Sequence, residues 1–193
     1  MALGYIAPVA PLPIYSQTLE NVFHDLIQGV CGIVDGSLVR PRWQPEPVNQ
    51  PDFNTDWVAF GIQTYDADTF AYVKHDPTGN GGAGESELQR DEQLRVLMSF
   101  YGPNGDALET RLRDGLQIEQ NRANLGAQGV KLIQLLQATQ LPALLMDKWV
   151  RRVDVVGLFN RRVTRRYTVG TIVSSTVSLN NEQYITNISV TNP

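Results

Sequence analysis

The sequence predicts an α+β fold: an antiparallel or mixed β-sheet packed with an N-terminal amphipathic helix and two short helices, and a β-arm or hairpin projecting from it. Three observations predict it. Apolar residues recur at helical spacing near the start of the chain and again after Gly105, they alternate with polar residues between and beyond those segments, and the longest alternating segment is too long for a compact body of 193 residues.

Taken in order, the first 15 residues form an uncharged, proline-rich arm. Ser16 is placed to cap a helix, with Glu20 in its first turn, and Leu19, Val22, Phe23, Leu26, Ile27 and Val30 share one helical face. Gly29, Gly32 and Gly36 close that helix. The stretch from Arg40 to Pro51 holds four prolines, so it should cross in an extended conformation and pack Trp43 against the body. Val58, Phe60 and Ile62 alternate in a first strand, and Phe70 to His75 reads as a second strand paired with it in a hairpin. The polar, glycine-rich loop from Asp76 to Glu85 precedes a third strand, in which Leu94, Val96, Met98 and Phe100 alternate.

After Gly105 the period changes. Leu108, Leu112 and Leu116 stack on one helical face, Glu119 to Leu125 forms a second short helix, and Val130 to Leu136 a short strand. Trp149, Val153, Val155, Phe159, Val163 and Tyr167 then share one face of a long strand. Extended from Lys148 to Tyr167 it would span about 65 Å, against a diameter near 40 Å for a compact domain of this length. It must either break, near Gly157 or Asn160, or project as a hairpin or bent strand pair. From Gly170 to Pro193, 12 of 24 residues are Ser, Thr or Asn, and Asn180-Asn181 marks the turn of a terminal hairpin. No composition shift divides the chain, so residues 1–193 read as one domain with an N-terminal arm (1–15) and a C-terminal β tail (170–193).

Composition alone describes an ordinary soluble protein, with 16 basic and 20 acidic residues and a net charge of −4. No apolar run approaches the roughly 20 residues of a membrane-spanning helix. The start of the chain reads as neither a signal peptide nor an anchor, and no membrane role is expected. One cysteine, Cys31, excludes an internal disulfide, and with two histidines it leaves no Cys/His zinc set. The charge is unevenly distributed. Lys148 to Arg166 holds seven basic residues and one acid, a local +6, which leaves the rest of the chain at −10. Six of the seven are arginine, the residue suited to bidentate contacts with carboxylate or phosphate: Arg151, Arg152, Arg161, Arg162, Arg165 and Arg166.

The motifs that could carry chemistry lose to simpler readings. Gly79 to Gly84 spells GxGxxG, but Asp76-Pro77-Thr78 precedes it and Glu85-Ser86-Glu87 follows, where a phosphate cradle needs an apolar strand before and a helix after. A hairpin loop is the reading. His24-Asp25 and His75-Asp76 are adjacent pairs that should not face one another, and no GxSxG elbow supplies a nucleophile. Asp66, Asp68 and Asp76 lack the oxygen spacing of a calcium loop and read as turn carboxylates. Cys31 ends an apolar face and reads as a buried inert thiol. Asn187-Ile188-Ser189 matches a glycosylation sequon without a secretory context. No catalytic, cofactor or metal site is expected, and the chain does not read as an enzyme. The basic segment is left with a protein or a nucleic acid as partner. The sparest arrangement is homo-oligomeric, the basic segment of one subunit meeting the acidic surface of the next, and head-to-tail contacts of that kind make rings.

The runs LVRPRWQPEP (38–47), TDWVAFGI (55–62), DTFAYVKHD (68–76), LMSFYGPNGDAL (97–108), LRDGLQIEQNR (112–122), KWVRRVDV and RRVTRRY resemble the phage neck-terminator-like, or tail-terminator-like, family. The resemblance implies a virion structural protein of a tailed bacteriophage. Such a subunit forms a hexameric ring at the head–tail junction, ends the tail tube and joins it to neck or head-completion proteins. Its implied partners are itself, the tail tube, with the sheath a further candidate, and the neck proteins; DNA would only pass through the lumen. Its location would be the virion, after assembly from the host cytoplasm. We place the inter-subunit contacts at the six arginines. The alternative is a nucleic-acid-contacting head-completion or connector protein using the same arginines on phosphates.

Overall fold

The computed structural model describes residues 4–44, 49–145, 147–170, 174–181 and 184–191. They fall into two compact units, one comprising Ile14–Thr69 and Arg90–Val163, the other Met1–Pro13, Phe70–Gln89 and Thr164–Pro193. The fold is α+β as the patterning predicts.

The first helix, α1, runs Ser16–Cys31 and buries Leu19, Phe23, Leu26, Ile27 and Cys31. It stops at Gly32, whose φ of 68° is the left-handed geometry that glycine adopts without a Cβ penalty and whose N–H reaches back to the Gln28 and Gly29 carbonyls. Its start differs from expectation. The N-cap is Tyr15 with no side-chain cap, and Ser16 lies inside the helix at a φ of 50°. The start of the helix is instead fixed by tertiary contacts to Ile14 and Tyr15, described below.

A seven-stranded mixed sheet follows, with β1 (Val39–Pro41), β2 (Trp57–Ala67), β3 (Tyr72–Asp76), β4 (Glu85–Tyr101), β5 (Val130–Leu135), β6 (Thr139–Leu145) and β7 (Lys148–Thr168). Its path is β1-β2-β4-β7-β5, with β3 also paired to β4 and β6 to β7. β1 pairs with β2 in parallel, and β2 with β4, β3 with β4, β5 with β7 and β6 with β7 are antiparallel. Val58 and Phe60 of β2, Leu94, Val96, Met98 and Phe100 of β4, and Val153, Val155, Phe159 and Val163 of β7 are buried, so the alternating stripes form the core face. Against that face pack α1, then α3 (Gly105–Gly115) with Leu108 and Leu112, and α4 (Glu119–Ala127) with Leu125. Phe23 of α1 meets Phe159 of β7 edge to face at 5.0 Å.

Two strand expectations change. The Phe70–His75 strand forms β3 and pairs with β4, not β2: Tyr72 opposes Gln89 and Asp76 opposes Glu85. β4 begins at Glu85, earlier than its apolar stripe, so its N-terminal residues are free to take β3 while residues 92–101 take β2. Trp43, expected to pack on the body, is 82% exposed.

β7 is unbroken over 21 residues, so the break anticipated near Gly157 or Asn160 does not occur. The irregularity falls on its partners. β5 carries a register shift between Leu132 and Gln134, and residues 136–138 separate it from β6, which pairs with the next stretch of β7. The hairpin of β6 and β7 is closed by Leu145 opposite Lys148, with Asp147 at a φ of 60°.

In the smaller unit, the Gly79–Gly82 turn, α2, links β3 to β4, and Val9 of the arm makes one bridge to Arg166. The tail folds as the expected hairpin, β8 (Ser174–Asn181) with β9 (Tyr184–Thr191). Asn180 and Asn181 belong to β8 rather than to the turn, because Asn181 already opposes Tyr184; the turn itself lies outside the described residues.

Candidate interaction surfaces

The basic segment lies on one strand, and β-strand geometry sends its successive side chains to opposite faces. From Val153 to Val163 the odd residues of β7 are buried on the core face and the even residues face away, whereas at its start Val150 is buried and Trp149 and Arg151 are exposed. This sorts the six arginines.

Among the even residues, Arg152 donates from Nε to Asp154 Oδ1 at 2.7 Å and binds the second oxygen from Nη2, and its guanidinium sits 5.8 Å from the Tyr101 ring. Partial burial opposes the charge on Asp154, but hydrogen bonds from Arg152 and Ser99 outweigh it and hold that carboxyl below its usual range. Arg162 makes the same fork to Asp91, with both distances 2.9 Å, and this lowers the Asp91 carboxyl. In the smaller unit, Arg166 lies 3.4 Å from both Glu85 and Glu87. The chain's own β4 therefore supplies most of the carboxylates that meet the basic strand, which reduces the unbalanced charge left for a partner.

Arg161, grouped in the sequence with the surface arginines, is 2% exposed. It sits between Phe159 and Val163 on the core face, where alternation puts it. Its Nη1 donates to the Ile14 carbonyl at 2.7 Å, its guanidinium covers the Tyr15 ring at 4.4 Å, and Nη2 lies 3.3 Å from Glu92 Oε2. Tyr15 in turn donates its hydroxyl to Glu92 Oε1 at 2.9 Å. This triad, with Arg161 and Glu92 buried and Tyr15 partly exposed over them, clasps the start of α1 to the sheet in place of a Ser16 cap.

Arg165 is half-buried. Arg151 is exposed and belongs to a different surface, the end of the β6–β7 hairpin. There Leu144 opposes Trp149 and Pro142 opposes Arg151. Trp149 is 72% exposed, with Leu144 and Leu141 also exposed. Lys148 Nζ lies 3.7 Å from the centroid of Phe53. Pro142 in the middle of β6 suits an edge strand, since it has no N–H to offer a further neighbour. Between the hairpin and Asp106 at the start of α3 lies a groove of about 500 Å³ lined by Leu141, Pro142, Trp149 and Arg151. This solvent-facing apolar end is the feature that the charge pattern hid.

On the sheet face away from the helices, Trp57 stacks on Tyr101 at 4.2 Å, and Arg42 donates to Ser99 Oγ at 2.7 Å. The other motifs resolve as local structure. Asn80, Gly81, Gly82 and Gly84 all take positive φ in the β3–β4 hairpin loop, so GxGxxG opens no long helix onto a phosphate. Of the three carboxylates expected in turns, Asp76 accepts from Thr78 at the β3–β4 loop as expected, whereas Asp66 lies in β2 opposite Gln93 and accepts from the Ala67 N–H, and Asp68 accepts across the chain from the Asp91 N–H. His24, contrary to expectation, does meet Asp25, at 2.9 Å, while its other ring nitrogen lies 3.0 Å from the Gly36 carbonyl oxygen. Burial pushes the Cys31 thiol up to about 12, with Arg111 pulling weakly the other way. Among the described residues no cluster of His, Cys, Asp and Glu could hold a metal, and no helix is long and apolar enough to cross a membrane.

An α+β body whose basic strand is largely matched by its own carboxylates, and which carries an apolar hairpin end into solvent, is a protein built around surfaces. The chain belongs to the phage neck terminator protein family, whose model matches residues 17–183. That makes it a structural protein of the bacteriophage virion, located at the neck. No curated protein matches the chain.

Proposed function

We propose that this neck protein acts as a ring of identical subunits that ends the tail tube and joins the tail to neck or head-completion proteins. The observation that carries the reading is the exposed end of the β6–β7 hairpin on a chain of this family. Trp149, Leu144 and Arg151 share one exposed face of the hairpin end, an apolar and cationic surface on an edge strand of the kind that meets a neighbour. Of the six arginines, Arg151 is the direct contact. Arg162 and Arg166, with side chains 62% and 55% exposed, contribute at the rim, while Arg152 and Arg161 hold the subunit's own structure and Arg165 is half-buried.

Phosphate binding by the same strand is the weaker reading, because a nucleic acid would have to displace Asp91 from Arg162 and Asp154 from Arg152. The test is the mass of the purified protein, alone and with isolated tail tubes. A ring mass that is lost in Arg151→Glu, with tubes then growing past their normal length, is the expected result. A wild-type protein that stays a single chain at every concentration and ignores tubes would sink the proposal.

A further inference from the structure

A groove of about 400 Å³ lies between α1 and α4, with Val22, Leu26, Val30 and Leu125 contributing its apolar surface and Gln120 and Asn124 among its polar residues. The one charged residue lining it is Asp25, whose side chain is 75% exposed. Gly29 also lines it. A glycine inside a helix costs roughly 1 kcal/mol relative to alanine, so it wants a reason. Gly115 of α3 has one within the chain, since a Cβ there would come within 2.3 Å of Val30 Cγ1. Gly29 has none, for a Cβ there meets nothing within 4 Å. The open space it leaves faces outward.

The hairpin end has the complementary character. It presents Trp149 and Leu144 as a cross-strand apolar pair, with the cation Arg151 two residues on along the same face. Hairpin end and groove are separate surfaces of the same compact unit, with no lining residue in common. A donor surface on one copy and a different acceptor surface on the next make a heterologous contact, which closes into a ring when the rotation permits.

We infer that the α1–α4 groove at Gly29 receives the β6–β7 hairpin end of a second copy of this chain, with Trp149 and Leu144 over the apolar floor and Arg151 beside Asp25. This rests on the ring reading and names its interface.

The test compares the native mass of wild type with that of Gly29→Leu, which fills the groove from a position with free space, and with Arg151→Asp, Asp25→Arg and the two reversals combined. Gly29→Leu and each single reversal should raise the dissociation constant of the assembly at least tenfold while the melting temperature of the dissociated subunit, read below the assembly concentration, stays unchanged, and the combined reversal should restore the affinity. Oxidation of a mixture of Leu144→Cys and Gly29→Cys proteins should link one copy to the other, a readout independent of whether Gly29→Leu folds. A wild-type ring that persists in all three single variants and gives no cross-link overturns this interface and leaves the ring standing. A wild-type protein that never assembles overturns the ring and the interface with it.

Discussion

Replacing Arg161 by methionine separates a structural arginine from an interface arginine. The substitution keeps a long apolar stem between Phe159 and Val163 but leaves Glu92, a side chain only 9% exposed, with Tyr15 as its remaining partner and strips the Ile14 carbonyl of its donor. Breaking a buried ion pair from one side costs about 3–5 kcal/mol, because the surviving charge stays desolvated. At roughly 2–4 °C per kcal/mol for a chain of this size, the melting temperature should fall by about 6–20 °C. Removing both charges, Arg161→Met with Glu92→Met, should recover most of that loss, since the cost of desolvating both ions offsets their attraction and neither Arg161 Nη2 nor Glu92 Oε2 has a hydrogen bond. The assay is urea denaturation followed by circular dichroism at a protein concentration below assembly. A single variant that loses less than about 1 kcal/mol, or a double variant as damaged as the single, would refute the assignment of Arg161 to the core.

Two further outcomes follow from the ionisable groups. Asp91 and Asp154 both have folded values below those of the free carboxyl, so their contribution is fully present above about pH 4 and is lost as pH falls through the folded values. The urea midpoint should drop as pH falls from about 4 to about 2, and less steeply in Asp91→Asn/Asp154→Asn; a wild-type midpoint flat over that range contradicts the pairing. The Cys31 thiol, raised to about 12 and buried, should resist thiol reagents at pH 8 in the folded protein and react at once in urea, whereas fast native labelling would mean that α1 opens readily.

Much of the fold could be read locally because periodicity is a local property. Val58 and Phe60, Leu94 to Phe100 and the odd residues of β7 needed only their own neighbours to reveal the core face. Partner choice is not local: nothing within Tyr72 to Asp76 says that the start of β4 lies beside it rather than β2. Arg161 and Glu92 were legible in principle, as each falls in step with buried apolar residues two positions away, Phe159 and Val163 in one case and Leu94 in the other. Grouping the arginines by charge rather than by parity concealed this. The same grouping drew attention away from Trp149 and Leu144, an exposed cross-strand pair that appears only once β6 and β7 are paired. Gly29 carried a signal in the sequence as a glycine inside a strong amphipathic helix, but reading it as a terminator hid the free space beside it.

The clasp of Arg161 on Ile14 joins residues 147 positions apart. During synthesis the N-terminal residues therefore leave the ribosome long before the strand that fastens them, and α1 has no anchor for its start until most of the chain has been made. The hairpin end at Trp149 emerges shortly before Arg161. The anchoring of the first helix is therefore a late contact, one whose loop-closure cost is met only when nearly the whole body has formed.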